Sequence, residues 1–167
     1  VPATIDDTVA GAAANSYVSL AEAEAFFEER LNVTSWDAAT TDTKNRALIQ
    51  ATRRIDMEIY LGDKSTTSQA LEWPRWGVED RDGYWYSDGV IPQPVRDAQL
   101  EMAASLIAAG SDPFGDTGLE GFKEAQIGPL RVVIAEGRPA TRLPDVVARL
   151  LAPLIGARAG NGRVERG

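Results

Sequence analysis

Residues 70–83 read ALEWPRWGVEDRDG, and the run continues as YWYSDGVIPQPV to Val95. It holds three of the four tryptophans (Trp73, Trp76 and Trp85) among prolines, glycines and aspartates. Three chemistries suit such a mixture: calcium ligation by the carboxylates, stacking of unpaired bases on the rings, and docking of another protein. For calcium, Asp80 and Asp82 precede Gly83, but aligning that glycine with the sixth loop position places Val78 at position one and Gly89 at position twelve, where an EF-hand needs Asp and Glu. For stacking, Trp73, Trp76, Tyr84, Trp85 and Tyr86 with Arg75 and Arg81 form an aromatic and guanidinium set. The same window carries Glu72, Glu79, Asp80, Asp82 and Asp88, so it offers no electrostatic funnel for phosphates. The remaining alternatives are core packing of a long loop and a protein interface, where Trp, Tyr and Arg are the usual anchors. On the interface reading, Trp73 and Trp76 seat the loop on the helices. The candidate subunit or tail contacts are Arg75, Trp76, Arg81, Tyr84, Trp85 and Tyr86.

Other chemistry is scarce. The chain has no Cys and no His, which removes thiolate nucleophiles, disulfides, zinc fingers, the Ser-His-Asp triad and the usual neutral-pH base. Leu61-Gly62-Asp63-Lys64-Ser65 has the Lys-Ser of a phosphate loop but puts Asp63 where glycine is needed. No pair among the 25 acidic residues is singled out for carboxylate catalysis. The expectation is a non-enzymatic protein with no catalytic, metal or cofactor site.

The elements that must position the aromatic run are mostly helical. Ser19-Leu-Ala-Glu22 fits a capping box, and Leu20, Ala23, Phe27 and Leu31 follow at helical spacing, with Phe26 widening the stripe. Trp36 lies in a short link as a small core anchor. A second helix is expected from Thr41–Thr43 to about Leu61, with Ala47, Leu48, Ala51, Ile55 and Ile59 inward, Arg46, Arg53, Arg54 and Glu58 off that face, and Gly62 as its stop. Pro92-Gln93-Pro94 opens a third helix, with Val95, Ala98, Met102 and Leu106 inward and Gly110 at its end. Residues 123–135 read as a β-hairpin turning at Gly128-Pro129. Pro144 and Asp145 begin a last helix carrying Val146, Val147, Leu150, Leu151 and Leu154, broken at Pro153.

The expected fold is therefore mostly α, a bundle of about four helices with one hairpin between the third and last. It divides into an extended arm (1–18), a single helical domain (19–155, with the aromatic loop at 70–91 and the hairpin at 122–135) and a flexible basic tail (156–167). No apolar run is long enough to span a bilayer, so no membrane partner is expected.

Charge is divided unevenly. The net is −8, yet residues 138–167 carry six arginines (138, 142, 149, 158, 163 and 166) against Asp145 and Glu165. The acidic remainder argues against non-specific nucleic-acid binding.

ANSYVSLAEAEAFF (14–27), ALIQATRRID (47–56), QALEWPRWGVEDRDG (69–83) and IPQPVRDAQLEMA (91–103) occur in that order. Together with the Ile-Gly-Pro-Leu turn and the Leu-Leu-Ala-Pro-Leu segment near the end, they resemble a tailed-bacteriophage family of head–tail connector adaptors. Members of that family often carry the label of DnaT-like single-stranded DNA-binding proteins. The connector resemblance implies a structural virion protein made in the host cytoplasm and placed at the head–tail junction, or neck. It implies a homo-oligomeric ring of twelve copies under the portal protein, docking a tail or stopper protein and passing genomic double-stranded DNA through its lumen. The tail arginines Arg158, Arg163 and Arg166 would then face the portal, and an acidic lumen would let DNA slide. The label implies the alternative, single-stranded DNA binding as a replication accessory. Against that alternative stand the acidic balance and the lack of a basic groove.

Overall fold

Helix α1 (Leu20–Glu28) starts where its caps demand. The Ser19 hydroxyl accepts from the Glu22 amide at 3.2 Å, and the Glu22 carboxylate accepts from the Ser19 amide at 2.8 Å. The computed structural model describes residues 1–110, 124–127, 130–133 and 143–156. After α1 the chain closes one further turn, α2 (Thr34–Asp37), which presses Trp36 into the core. The Trp36 ring lies 4.2 Å from that of Phe27, and its indole N–H donates to Glu24 at 3.1 Å. Leu31, expected on the buried stripe of α1, is 84% exposed because the helix has already ended at Glu28.

Helix α3 (Thr41–Ile55) is capped by Thr40 and buries Ala47, Leu48, Ala51, Thr52 and Ile55. It stops six residues before the expected Leu61, with Asp56 as C-cap. Beyond it the outward pattern changes period. Met57, Ile59 and Leu61 are exposed while Tyr60 is buried and bridges Ile155 in antiparallel fashion. Alternation of this kind belongs to extended chain, which is why Ile59 does not continue the helical stripe.

Two short strands follow, β1 (Asp63–Lys64) and β2 (Arg75–Trp76), paired antiparallel with Asp63 opposite Trp76. Helix α4 (Gln93–Ala109) has Pro94 in its first turn and ends at Gly110, whose φ of 66° supplies the left-handed cap. It buries Val95, Ala98, Leu100, Met102, Ala103 and Leu106, and packs against α2, α3 and the last helix. Strands β3 (Glu124–Ile127) and β4 (Leu130–Val133) form an antiparallel hairpin with Ile127 opposite Leu130. The last helix, α5 (Asp145–Leu151), seats Val147 and Leu151 in the core. The described residues are thus mostly helical, with five helices where four were expected, because the turn around Trp36 is itself helical.

The N-terminal arm, expected to be extended over 1–18, instead folds back on itself, with the Asn15 amide donating to the Asp6 carbonyl at 2.8 Å and the Asp6 amide to the Asn15 side chain at 2.9 Å, and it is fastened to its own chain. The Ala3 amide donates to Asp42 at 2.6 Å, the Asn45 side chain donates to the Ala3 carbonyl at 2.8 Å, and Tyr17 and Val18 are buried.

Gly62 fixes the entry to β1. Its φ is 66°, and an added Cβ would lie 2.1 Å from the Trp76 carbonyl oxygen. Gly83 has a similar φ of 83° but open space around it. Gly62→Ala is therefore expected to destabilise the protein by more than about 2 kcal/mol, and Gly83→Ala by only about 1 kcal/mol. Urea denaturation of the two variants beside the wild type checks this difference.

Candidate nucleic-acid interface

The aromatic run folds around an arginine. Arg75 is 7% exposed. Its Nε donates to the Leu61 carbonyl at 2.7 Å, one terminal nitrogen donates to the Gly62 carbonyl at 2.6 Å, and the other donates to the carbonyl and carboxylate of Glu72 at 3.2 and 2.9 Å. The expectation that Arg75 is offered to a neighbouring subunit is corrected here. Its guanidinium is consumed by main-chain carbonyls that turn inward where the chain leaves α3. Trp73 is buried edge-on to Tyr60 at 5.5 Å, as an anchor should be. Trp76, expected to help seat the loop, instead faces outward at 54% exposure, because it follows the inward Arg75 on a strand.

Beyond Trp76 the chain makes a tight hairpin. The Tyr86 amide donates to the Val78 carbonyl at 2.9 Å, the Asp80 amide donates to the Tyr84 carbonyl at 2.8 Å, and Glu79 bridges Trp85. The carboxylate of Asp80 accepts from the amides of Asp82 and Tyr84, each at 2.9 Å. Asp80 and Gly83 are therefore turn residues, which accounts for the calcium-like spelling of this stretch. Val78 is buried and Tyr86 half-buried against the core, while Arg81, Tyr84 and Trp85 face solvent. The segment with the Lys-Ser of a phosphate loop runs into β1, where Lys64 pairs with Glu72 at 3.0 Å. The expected portal contacts Arg158, Arg163 and Arg166 lie outside the described residues.

A second surface is one that sequence reasoning missed. The outward face of α3 and the start of the arm enclose a groove of about 560 Å³ lined by Ala3, Arg46, Ile49, Gln50, Arg53, Arg54 and Met57. Arg46 and Arg53 are exposed and two helical turns apart, roughly 10 Å along the axis. Arg46 is also paired with Asp42 at 2.7 Å. Ile49 is half-buried and Met57 is 68% exposed, so the groove combines guanidinium groups with an apolar floor. Its signal in the sequence is a set of arginines on the polar side of an amphipathic helix. A net charge of −8 summed over the whole chain conceals this local concentration.

Behind both surfaces lies a buried polar seam. The Tyr17 hydroxyl donates to Asp56 and accepts from the Trp73 amide at 3.2 Å, and Asp56 also accepts from the Glu72 amide at 3.2 Å. Burial pushes the Asp56 carboxyl up to about 6, against the pull of the hydrogen bonds from Tyr17 and Glu72. Burial likewise raises the Tyr17 phenol, with Asp56 beside it adding to the effect.

Residues 2–167 match the family described as "Putative DnaT-like ssDNA binding protein". The chain belongs to this family. Neither the curated proteins nor the solved structures give a match. The match corrects the expectation of a head–tail connector adaptor. The family is described by single-stranded DNA binding, the alternative reading, and nothing matched supports a connector. An overall acidic balance does not apply to every face, and α3 gathers three arginines around one groove.

The loop and the seam can each be tested by stability. Arg75→Ala strands several inward carbonyls and is expected to cost about 3 kcal/mol or more, measured by equilibrium denaturation. Asp56 has a folded pKa above its unfolded value, so its contribution to stability is fully present below about pH 4 and is lost as pH rises through about 6. The stability of the wild type relative to Asp56→Asn should therefore grow as pH is lowered from about 7 to about 4.5. A difference that stays constant with pH would show that this carboxyl does not titrate in that window.

Proposed function

We propose that this protein binds single-stranded DNA along the arginine-lined groove of α3. The observation that carries the reading is the clustering of Arg46, Arg53 and Arg54 around an apolar floor in a chain whose net charge is −8. Binding of single strands without sequence preference needs positive groups that track the phosphates and apolar surface on which bases can lie. Arg46 and Arg53 supply the first, reaching outward from successive parts of one rigid helix. Ile49 and Met57 supply the second, and the Gln50 amide adds a hydrogen-bonding group beside them. A groove floored by apolar side chains favours exposed bases over the sealed stack of a duplex. The family description supports the same ligand. On this reading the protein acts by binding alone, with no catalytic step.

The acidic hairpin tip is not part of this track. Glu79 and Asp82 would repel phosphates there, and Arg81 offers one positive group against the two.

Fluorescence anisotropy with a labelled oligothymidylate tests the proposal. Arg53→Ala is expected to weaken binding about tenfold and Arg46→Ala/Arg53→Ala further still. The slope of log K against log salt should fall in magnitude by about 0.7 for each phosphate that is no longer neutralised. Trp85→Ala should leave the affinity of a single copy unchanged. An absence of binding at low salt, or equal binding by the wild type and the double variant, would reject the groove.

A further inference from the structure

Three large rings on the hairpin and the strand that enters it are open to solvent within one copy: Trp76 at 54%, Tyr84 at 72% and Trp85 at 66% exposure. They do not dangle. Trp76 is in register with Asp63, Trp85 is bridged to Glu79, and the turn between is tied by the Asp80 carboxylate. Uncovered aromatic side chains carried on a hydrogen-bonded hairpin and the strand entering it mark a surface that meets another molecule.

The charges beside them say what kind. Exposed Asp63, Glu79, Asp82 and Asp88 accompany the rings, with Arg81 as the exposed base among them. Carboxylates around aromatic faces disfavour a polyanion and favour guanidinium groups, which can lie on the rings while donating to the acids. The sequence contains such a ligand. Residues 138–167 carry six arginines against two acids, the reverse of the balance in the rest of the chain.

We propose that the hairpin tip of one copy receives the arginine-bearing segment 157–167 of a second copy. Arg158, Arg163 and Arg166 meet Trp76, Tyr84 and Trp85 and the carboxylates beside them. The contact joins different surfaces of the two copies, so it does not close on itself at two and can extend from copy to copy. Such head-to-tail extension supplies the cooperativity common among proteins that coat single strands. The proposal goes beyond DNA binding and does not depend on it, because the tip and the α3 groove are separate sets of residues.

Sedimentation velocity at low and high salt, with no DNA present, provides the test. The tip variant is Trp85→Ala/Asp82→Asn, two positions whose side chains face solvent. The tail variant is Arg158→Glu/Arg163→Glu/Arg166→Glu. The wild type should self-associate at low salt and dissociate at high salt, and each variant alone should associate at least about tenfold more weakly. Mixed in equal amounts, the variants should form a dimer that grows no further, because one copy keeps its tail and the other its tip. The proposal is overturned if the wild type stays monomeric, if either variant associates as the wild type does, or if the mixture remains monomeric. A synthetic peptide of residues 157–167 should also shift the tryptophan emission of the wild type, and that of Trp85→Ala/Asp82→Asn much less. Absence of that shift counts against the contact equally.

Discussion

The buried guanidinium of Arg75 is the constraint on which the working surfaces depend. A charge taken out of water is tolerable only when its donors are satisfied, and here the main chain does most of that through the carbonyls of Leu61, Gly62 and Glu72. The Glu72 carboxylate completes the set and also holds Lys64. One side chain thereby ties the segment leaving α3 to the start of the aromatic run, 14 residues from Leu61. The pairing of β1 with β2 is only two residues long, too short to hold the hairpin by itself. The arginine supplies the missing rigidity, and Trp76 is turned outward as a consequence.

A second layer of polar contacts holds the arm and helices to that centre. Gln99 is fully buried and accepts from the Tyr17 amide while donating to Ser16 and to the Leu48 carbonyl. Tyr17 then reaches Asp56 and Trp73, so arm, α3, α4 and aromatic loop share one chain of hydrogen bonds. Fully partnered buried networks specify a single arrangement because any shift leaves a polar group stranded. The start of the arm is held separately, by the bonds of Ala3 to Asp42 and Asn45, at the edge of the arginine groove.

What can be read from the sequence is what local chemistry decides. The capping box at Ser19, the proline entry to α4 and its glycine exit, and the proline before α5 lie where they are expected, since each signal acts within one turn. The end of α3 is misplaced by sequence because Ile59 falls on the helical stripe by spacing alone. Its true setting is an extended segment paired with residues near 155, which no local window contains. Arg75 misleads for the same reason: an arginine among turn residues looks exposed until distant carbonyls converge on it. The groove arginines are legible as the polar side of a helix, but a polar side becomes a site only when the arm closes one of its edges. The turn chemistry of Asp80 and Gly83, by contrast, is written locally and only imitates metal ligation.

The bridge between Tyr60 and Ile155 also has a bearing on how the chain reaches this state. It joins residues far apart in sequence, with the Leu61 amide donating to the Leu154 carbonyl at 2.9 Å and the Gly156 amide donating to the Ile59 carbonyl at 3.1 Å. Contacts of such long range return little free energy until most of the chain is already in place. The clasp therefore ties the chain leaving α3 to the chain leaving α5. Undocking α5 along with that clasp would cost apolar burial. It would bare Val147, Leu151 and Leu154 together while the arginine groove on α3 stayed intact.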